Sequence, residues 1–212
     1  MSLDIGCRND RVMVFIDLRN VLESSAEALG SDTCNVDFCE MVSGLVGDRD
    51  LCAAYVYDTK MPYGVDDHMI RLHDRLRYLG FRVVARESYD PVRKEQKEVD
   101  VAMACDMVYH AISGHFDTAV VISGDRDFVP AIECMQGAGK RVESAAFKCS
   151  ASSAVRRAAD IFTELDPLPI SIQPQKGMGC DGTPAALLVR GIIKPSISAL
   201  RIPSRSLREC PC

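Results

Sequence analysis

The sequence predicts an α/β fold in which helices cover both faces of a parallel sheet. Five short runs are continuously apolar and rich in β-branched or aromatic residues, as buried strands are; they lie at 12–17, 51–58, 81–86, 118–123 and 141–147. Amphipathic helical patterns alternate with them, near 20–29, 36–46, 65–79, 98–113, 127–137 and 151–158. Gly80 and Gly139 come just before strands, where glycine commonly ends a helix. Such alternation is typical of a parallel sheet, here of about five strands.

The charge and proline content divide the 212 residues into a domain and a tail. Residues 1–166 hold 19 Lys and Arg against 28 Asp and Glu, whereas residues 167–212 hold 6 against 2. Seven of the ten prolines also follow residue 166, and proline at that density prevents long helices and interrupts sheet pairing. We therefore expect residues 1–166 to form the folded domain. Residues 167–212 are predicted to be a basic tail that is weakly ordered or docked through its apolar stretch 185–193.

Composition excludes several classes of protein. With 47% hydrophobic and 26% charged residues the chain is globular rather than disordered or a coiled coil. The sequence shows neither an apolar run long enough for a membrane span nor a signal segment, which predicts a cytoplasmic protein with no membrane partner. The ten cysteines form no Cys-x-x-Cys pair and no zinc-finger spacing, so they are expected to be free thiols without structural zinc. A net charge of −5 disfavours a broadly basic nucleic-acid binder, but it allows an enzyme that uses a metal to hold a polyanion.

Acidic residues follow the predicted strands at positions that suggest a metal site. Asp17 ends the first strand, Asp125 and Asp127 follow the fourth, and Asp100 opens the helix that leads into the fourth. In open parallel sheets, ligands bind beyond the carboxyl ends of the strands, so these carboxylates should converge there. Carboxylates that share a site repel each other unless a cation lies among them, and hard oxygen ligands suit Mg²⁺ or Mn²⁺. Asp106 points about 240° away from Asp100 on an ideal helix, so it is predicted to be a structural acid.

Each acid also has a structural interpretation. Asp125 or Asp127 could cap the helix that begins near Phe128, and Asp100 could be favoured at a helix start by the helix dipole. Asp17 is harder to explain in this way, because it directly ends an apolar strand. Three separate segments deliver acids to one predicted edge, which favours the metal site over these separate explanations.

Four segments in order resemble the NYN domain of the PIN-like nuclease superfamily. They are Phe-Ile-Asp-Leu-Arg-Asn at 15–20, Lys-Glu-Val-Asp-Val-Ala-Met-Ala-Cys-Asp-Met-Val at 97–108, Ser-Gly-Asp-Arg-Asp-Phe-Val-Pro at 123–130, and Ala159-Asp160 with Phe162 and Leu165. The segment at 123–130 is the most specific of the four. The resemblance extends from about Val12 to Leu165, which is nearly the whole predicted domain.

The resemblance implies a Rossmann-like (PIN-like) sheet and a metal-dependent ribonuclease, with RNA as the partner and Mg²⁺ or Mn²⁺ as the cofactor. It implies that Asp17, Asp100 and Asp125 are metal ligands and that Asp127 is a further acid. The residues expected to orient these ligands or to contact substrate phosphates are Asn20, Arg19, Lys97, Ser123 and Arg126. The expected products are a 5′-phosphate and a 3′-hydroxyl, and the protein could be a homodimer.

The sequence departs from the family pattern directly after the first acid. Many members have glycine there, where this chain has Leu18 followed by Arg19. Bulkier side chains could narrow the approach of a phosphate, or Arg19 could contact it. An RNA-binding or regulatory protein with little or no turnover is therefore the alternative. Phosphatases of the haloacid dehalogenase type are disfavoured because Arg19 stands where they carry a second aspartate. The basic residues between Arg71 and Lys97 are expected to bind the phosphates of the substrate. The alternative for those in the predicted helix is that they only form its solvated side.

Overall fold

Strand β1 (Arg11–Asp17) lies near the centre of a six-stranded parallel sheet with the order β3-β2-β1-β4-β5-β6. The computed structural model describes residues 10–29, 36–60, 67–87 and 97–166. The other strands are β2 (Asp50–Lys60), β3 (Arg82–Glu87), β4 (Thr118–Ile122), β5 (Arg141–Ala146) and β6 (Ile161–Glu164). The helices are α1 (Leu18–Leu29), α2 (Phe38–Val46), α3 (Asp67–Tyr78), α4 (Lys97–Ile112), α5 (Val129–Gly137) and α6 (Ser153–Ala158), with a short 3₁₀ helix (Arg126–Phe128) before α5. The α/β class predicted from the sequence is confirmed.

The structure adds a sixth strand to the five that the sequence predicts. Strand β6 has only four residues, and at the edge of the sheet it pairs in parallel with β5 alone. Its sequence, Ile-Phe-Thr-Glu, lacks the apolar run that marks the other strands, because an edge strand is not covered on both faces. The five predicted strands and six predicted helices are all present, with bounds that differ by one or two residues. Gly80 and Gly139 adopt φ values of 95° and 76°, as predicted for glycines at helix ends.

The sheet separates two apolar layers. Residues Val12, Val14 and Ile16 of β1 face helices α1, α2 and α3. The alternate residues Met13 and Phe15 face α4, α5 and α6. Because side chains alternate along a strand, Asp17 belongs to the same face as Met13 and Phe15, the face that α4 covers.

The order of the strands creates a crevice between β1 and β4. From β1 the chain proceeds outward to β2 and β3, and it then returns through α4 to β4 on the other side of β1. Ligands of doubly wound sheets bind at the carboxyl ends of the strands where the order reverses in this way. The predicted adjacency of the first and fourth strands is therefore confirmed, and the ends of β1 and β4 define the place to search for a site.

The structure bears only partly on the remaining sequence predictions. The tail predicted for residues 167–212 lies outside the described residues and stays a prediction. No helix in the described part of the chain has the length and apolar character needed to cross a bilayer. The cysteines of the described segments (Cys39, Cys52, Cys105, Cys134 and Cys149) are free thiols. On α3, Leu76 is buried and Met69 and Leu72 pack against the core, whereas Arg71 is exposed, which agrees with a solvated helix face.

Replacing Ile16 by Ala should destabilise the domain by about 2–5 kcal/mol, because this side chain is fully buried in the central strand and leaves a cavity. The free energy of unfolding from urea titration measures the effect. Ile161 on the edge strand is 40% exposed, so Ile161→Ala is the matched control and should cost less than half as much. Equal losses would contradict the assignment of β1 to the centre and β6 to the edge.

Candidate active site

Asp17 is buried where β1 ends and α1 begins. Only 7% of the residue is exposed. One carboxylate oxygen, Oδ1, accepts a hydrogen bond of 3.1 Å from the backbone N–H of Asn20, as a helix-capping acid does. The other, Oδ2, accepts a hydrogen bond of 3.1 Å from the hydroxyl of Ser123, which directly follows β4. Asp17 therefore has the capping role as well, and its orientation is fixed by both neighbouring segments.

The loop after β4 places two further acids beside Asp17. The backbone N–H of Asp125 donates to the Ser123 hydroxyl oxygen at 3.2 Å. The Asp125 carboxylate in turn accepts a hydrogen bond of 2.9 Å from the N–H of Asp127, and it caps the 3₁₀ helix. The capping interpretation of Asp125 is thus correct. The cap uses Oδ1 of Asp125, and this hydrogen bond holds the side chain in one orientation at the edge of the sheet.

Gly124 is enclosed by α1 on one side and the segment before α6 on the other. Its N–H donates to the side-chain oxygen of Asn20 at 3.1 Å, and its carbonyl accepts from the N–H of Ser152 at 3.0 Å. A Cβ at this position would overlap the carbonyl group of Ser150, so only glycine fits without a backbone shift. The Asn20 side chain accordingly ties the acidic loop to α1.

Asp100 brings the fourth acid, from the first turn of α4. Desolvation by burial, together with the charges of Asp125 and Asp127, raises the pKa of Asp100 to about 6. Burial, together with the charges of Asp100 and Asp125, raises the pKa of Asp17 to about 7, although the two hydrogen bonds that this carboxylate accepts lower it. These mutual effects require that the four carboxylates share one region. The predicted convergence is present.

The composition of this cluster suits a hard divalent cation. Within the described residues, no ion pair involves any of the four acids, so their repulsion is not relieved by arginine or lysine. Carboxylate oxygens are the ligands that Mg²⁺ and Mn²⁺ prefer. Across those same residues, however, no three side chains of His, Cys, Asp or Glu are already grouped closely enough to hold an ion. The donor chemistry therefore fits a cation, which would have to draw the carboxylates closer together.

The unusual Leu18-Arg19 pair does not cover the acids. Leu18 is fully buried and packs in the apolar layer of α2 and α3, on the opposite face of the sheet. Arg19 donates from Nε to the Asp58 carboxylate at 3.2 Å and from Nη2 to the carbonyl of Thr59 at 3.3 Å. The departure from the family pattern thus anchors α1 to the end of β2, on the face of the sheet opposite the acids.

The remaining residues named from the sequence are Arg126, Lys97 and Asp106. Arg126 is exposed in the 3₁₀ helix, between the acids Asp125 and Asp127. Lys97 is the first residue of α4, and its side chain lies outside the described part of the chain. Asp106 is turned away from the acids and accepts a hydrogen bond of 2.9 Å from the hydroxyl of Tyr57, in agreement with its predicted structural role.

A second acid at a strand end was missed by the sequence analysis. Asp58 follows an apolar run in β2 just as Asp17 does in β1, but its side chain is fully buried and pairs with Arg19 and with Nε2 of His73 at 2.7 Å. Asp17 is level with Tyr57 in the sheet, so Asp58 is one residue beyond and faces the opposite side. Counting this alternation from the apolar residues of β2 is the signal that could have separated the two acids.

A comparison with known families identifies the domain. The sequence model of the NYN domain matches residues 11–166. The chain belongs to the NYN domain family. The match begins at the first residue of β1 and includes all four acids, and NYN domains are part of the PIN-like nuclease superfamily.

A solved structure has a similar fold. A crystal structure of a protein of unknown function from Vibrio parahaemolyticus is similar, with a TM-score of 0.65 and 21% sequence identity over 76% of this chain and 96% of that one. At this identity the likeness shows the fold alone. Comparison with curated proteins gives no match for this NYN domain.

The metal-free protein should lose stability as the pH rises. The folded state holds the Asp17 proton up to a pKa of about 7, whereas the ordinary value of 3.8 applies when the chain is unfolded. The folded state therefore binds more protons between these values, and the free energy of unfolding falls through that window and levels off above pH 7. In EDTA, the melting temperature of Asp17→Asn should depend less on pH and exceed that of the wild type at pH 8 by a few degrees, since ~1 kcal/mol corresponds to roughly 2–4 °C. Parallel pH curves for both proteins would contradict the raised pKa.

Gly124→Ala should destabilise the acidic loop, because the added methyl group overlaps the backbone of Ser150. We expect a loss of about 1–3 kcal/mol in the free energy of unfolding, the usual cost of overpacking. Gly44 in α2 has open space around it, so Gly44→Ala is the matched control and should be neutral or slightly stabilising. Similar losses in the two variants would show that Gly124 is not enclosed as described.

Proposed function

We propose that this NYN-domain protein is a cytoplasmic metal-dependent ribonuclease that hydrolyses RNA phosphodiester bonds to 5′-phosphate and 3′-hydroxyl ends. The observation that supports it best is the convergence of Asp17, Asp100, Asp125 and Asp127 from three separate segments, where burial and then the neighbouring charges raise the pKa of Asp17 and Asp100. Membership of the family supports the nuclease class. The choice of RNA, the metal and the role of each residue are parts of this proposal.

The four acids would differ in their contributions to a cation site. Asp17 is the most buried and is held by hydrogen bonds on both oxygens, so it would be the fixed ligand. Asp100 and Asp125 would complete the site from α4 and from the loop after β4. Asp127 is exposed at the rim and would bind directly or through a water molecule. Mg²⁺ or Mn²⁺ held by these acids would supply an activated water and charge stabilisation for the leaving 3′ oxygen.

The polar residues around the acids would mainly orient them. The Ser123 hydroxyl donates to Asp17 and accepts from the Asp125 N–H, so it couples the two proposed ligands rather than offering a donor to a phosphate. Asn20 holds the backbone of Gly124 and thereby the path of the acidic loop. Arg126 is exposed beside the acids and is the proposed contact for a substrate phosphate, together with Lys97.

A second function is an RNA-binding or regulatory protein with little turnover. The observation that favours it is the spacing of the carboxylates, since no three of the described acidic, histidine or cysteine side chains are already grouped as metal ligands. This alternative requires the same RNA surface but no cleavage.

Purified protein should cleave single-stranded or structured RNA when Mn²⁺ or Mg²⁺ is added, and EDTA should stop it. Asp17→Asn and Asp125→Asn should each lower the rate at least roughly 100-fold, the scale for losing a group that stabilises charge in the transition state. Denaturing gels measure the rate, and labelling of the product ends identifies the 5′-phosphate. Mn²⁺ should also raise the melting temperature of the wild type but not that of Asp17→Asn.

Asp106→Asn is the matched control, because Asp106 is on the same helix as Asp100 but contacts Tyr57 instead of the acidic cluster. This variant should retain activity. Full cleavage by both Asp17→Asn and Asp125→Asn would indicate a contaminating nuclease or a different site. RNA binding without cleavage by the wild type, with either metal, would favour the regulatory function.

A further inference from the structure

Helix α4 exposes apolar side chains on the side that faces away from the sheet. Val101, Tyr109 and Ile112 are 60%, 62% and 73% exposed, and Cys105 is exposed between them. We call these four residues the α4 stripe. The inner side of the same helix packs in the apolar layer that covers the sheet. Helix α4 is therefore apolar on both sides, whereas a helix at the surface of a domain normally has a polar outer side.

The α4 stripe forms one continuous row along the helix. At about 100° per residue, Val101 and Tyr109 lie about 40° to either side of Cys105, and Ile112 lies about 20° from it. The row is roughly 16 Å long, which corresponds to three helical turns. Contiguous exposed apolar surface of this kind marks a place where another protein binds.

The spacing of the α4 stripe is symmetrical about Cys105, which fits a second copy of this chain. Val101 and Tyr109 are each four residues from Cys105. A two-fold axis that passes through Cys105, perpendicular to the helix, therefore sets Val101 of each copy against Tyr109 of the other. A small side chain meets a large one at both contacts, and the small Cys105 lies where the two helices approach most closely. An isologous dimer requires a self-complementary surface of this form.

The amino-terminal end of α4 is acidic. The exposed Glu98 lies in the first turn, next to the acidic cluster described above. These acids outnumber the two bases at the same end, Lys97 and Arg126. Among the described residues, no ion pair involves Glu98. This end of the helix therefore carries negative charge that has no cationic partner within the described segments.

The carboxyl-terminal end of α4 is basic. Arg82 stacks over the ring of Tyr55, which itself contacts His110 of the last helical turn. Lys140 lies over the ring of Phe116, a residue that follows the helix, at 5.8 Å from its centroid. The two ends of α4 therefore differ in the sign of their charge.

This difference favours antiparallel over parallel packing of two copies. Within the described segments, neither Arg82 nor Lys140 forms an ion pair, and Asp117, which lies near Lys140, is already paired with Arg11. Antiparallel packing sets the acidic end of each copy beside the basic end of the other. Parallel packing would set acids beside acids, and such juxtaposition of like charges disfavours association.

We propose that the α4 stripe is the interface of a homodimer, in which two copies pack α4 against α4 in antiparallel orientation across Cys105. Val101 of each copy contacts Tyr109 of the other, and Ile112 lies at the rim. A stripe of three turns provides less than the ~800 Å² that each partner buries in a standard interface, so the dimer exchanges with the monomer at micromolar concentrations. The proposal does not depend on the proposed ribonuclease function.

The first test is the mass of the full-length chain in reducing buffer, measured by sedimentation velocity from about 1 µM to about 300 µM. The wild type should change from monomer to dimer over this range. Tyr109→Glu places a charge against Val101 of the other copy, so it should weaken dimerisation at least roughly 30-fold, the scale of a central aromatic residue. Tyr78→Glu is the matched control and should leave the dimer unchanged, because Tyr78 is a 91% exposed tyrosine at the end of α3, outside the stripe.

The second test is cross-linking of the two copies by copper phenanthroline. With helix axes about 9–10 Å apart, the Cα atoms of the two Cys105 residues are roughly 5 Å apart, within the range that a disulfide can bridge. Oxidation should link two wild-type chains through Cys105, and peptide mass mapping identifies the linked cysteine. Cys105→Ser should remove this product, whereas Cys134→Ser, at an exposed cysteine of α5, should retain it.

A mixed cross-link determines the orientation of the helices. In a Cys105→Ser background, protein with Val101→Cys and protein with Tyr109→Cys should link to each other when mixed, and neither should link to itself through the new cysteine. Linking of each variant only to itself would show parallel packing and overturn the proposal.

The remaining outcomes are also decisive. A monomer at every concentration would overturn the dimer and leave the ribonuclease proposal intact. A dimer of unchanged affinity in Tyr109→Glu would place the interface elsewhere and overturn the proposal as well. If circular dichroism shows that Tyr109→Glu does not fold, Ile112→Glu replaces it: a weaker dimer supports the interface, and an unchanged one overturns it.

Discussion

The structure depends on holding four like charges together at one edge of a parallel sheet. Burial and mutual repulsion oppose the ionised form of these acids, which is why the pKa values of Asp17 and Asp100 are raised to about 7 and about 6. The ionised form of Asp17 is favoured by the hydrogen bonds that it accepts from Asn20 and Ser123. Ser123 also accepts from the N–H of Asp125, so these bonds connect α1 with the loop after β4. A carboxylate cluster built in this way has its charge relieved either by protons or by a cation. This constraint links the fold to the proposed chemistry.

The acids are not equally fixed, and the difference follows from their positions. Asp17 is anchored on both oxygens, whereas Asp127 lies exposed in a short 3₁₀ helix. A fixed inner ligand with more exposed outer ones would let the outer carboxylates adjust as a cation enters. Adjustment of this kind would bring together a donor set suited to a divalent ion, since no three of the described acidic, histidine or cysteine side chains are already grouped as ligands.

The two faces of the sheet edge have separate roles because side chains alternate along β1 and β2. Asp17 and Thr59 share the face that α4 covers, while Asp58, on the opposite face, pairs with Arg19 and His73. The residues that distinguish this chain from many family members, Leu18 and Arg19, belong to the second face. Their role is to anchor α1 and β2, which leaves the first face to the acids.

The sequence alone determined the α/β class, the five longer strands with the adjacency of the first and fourth, and the expectation that Asp17, Asp100, Asp125 and Asp127 lie at one edge of the sheet, because apolar runs and strand ends are local features. Strand β6 was missed, since four residues at an edge carry no apolar run. Only the tertiary structure decided the roles of Asn20 and Arg19. Their contacts join residues 39 to 104 positions apart, and no local pattern encodes which partner a side chain meets across the sheet.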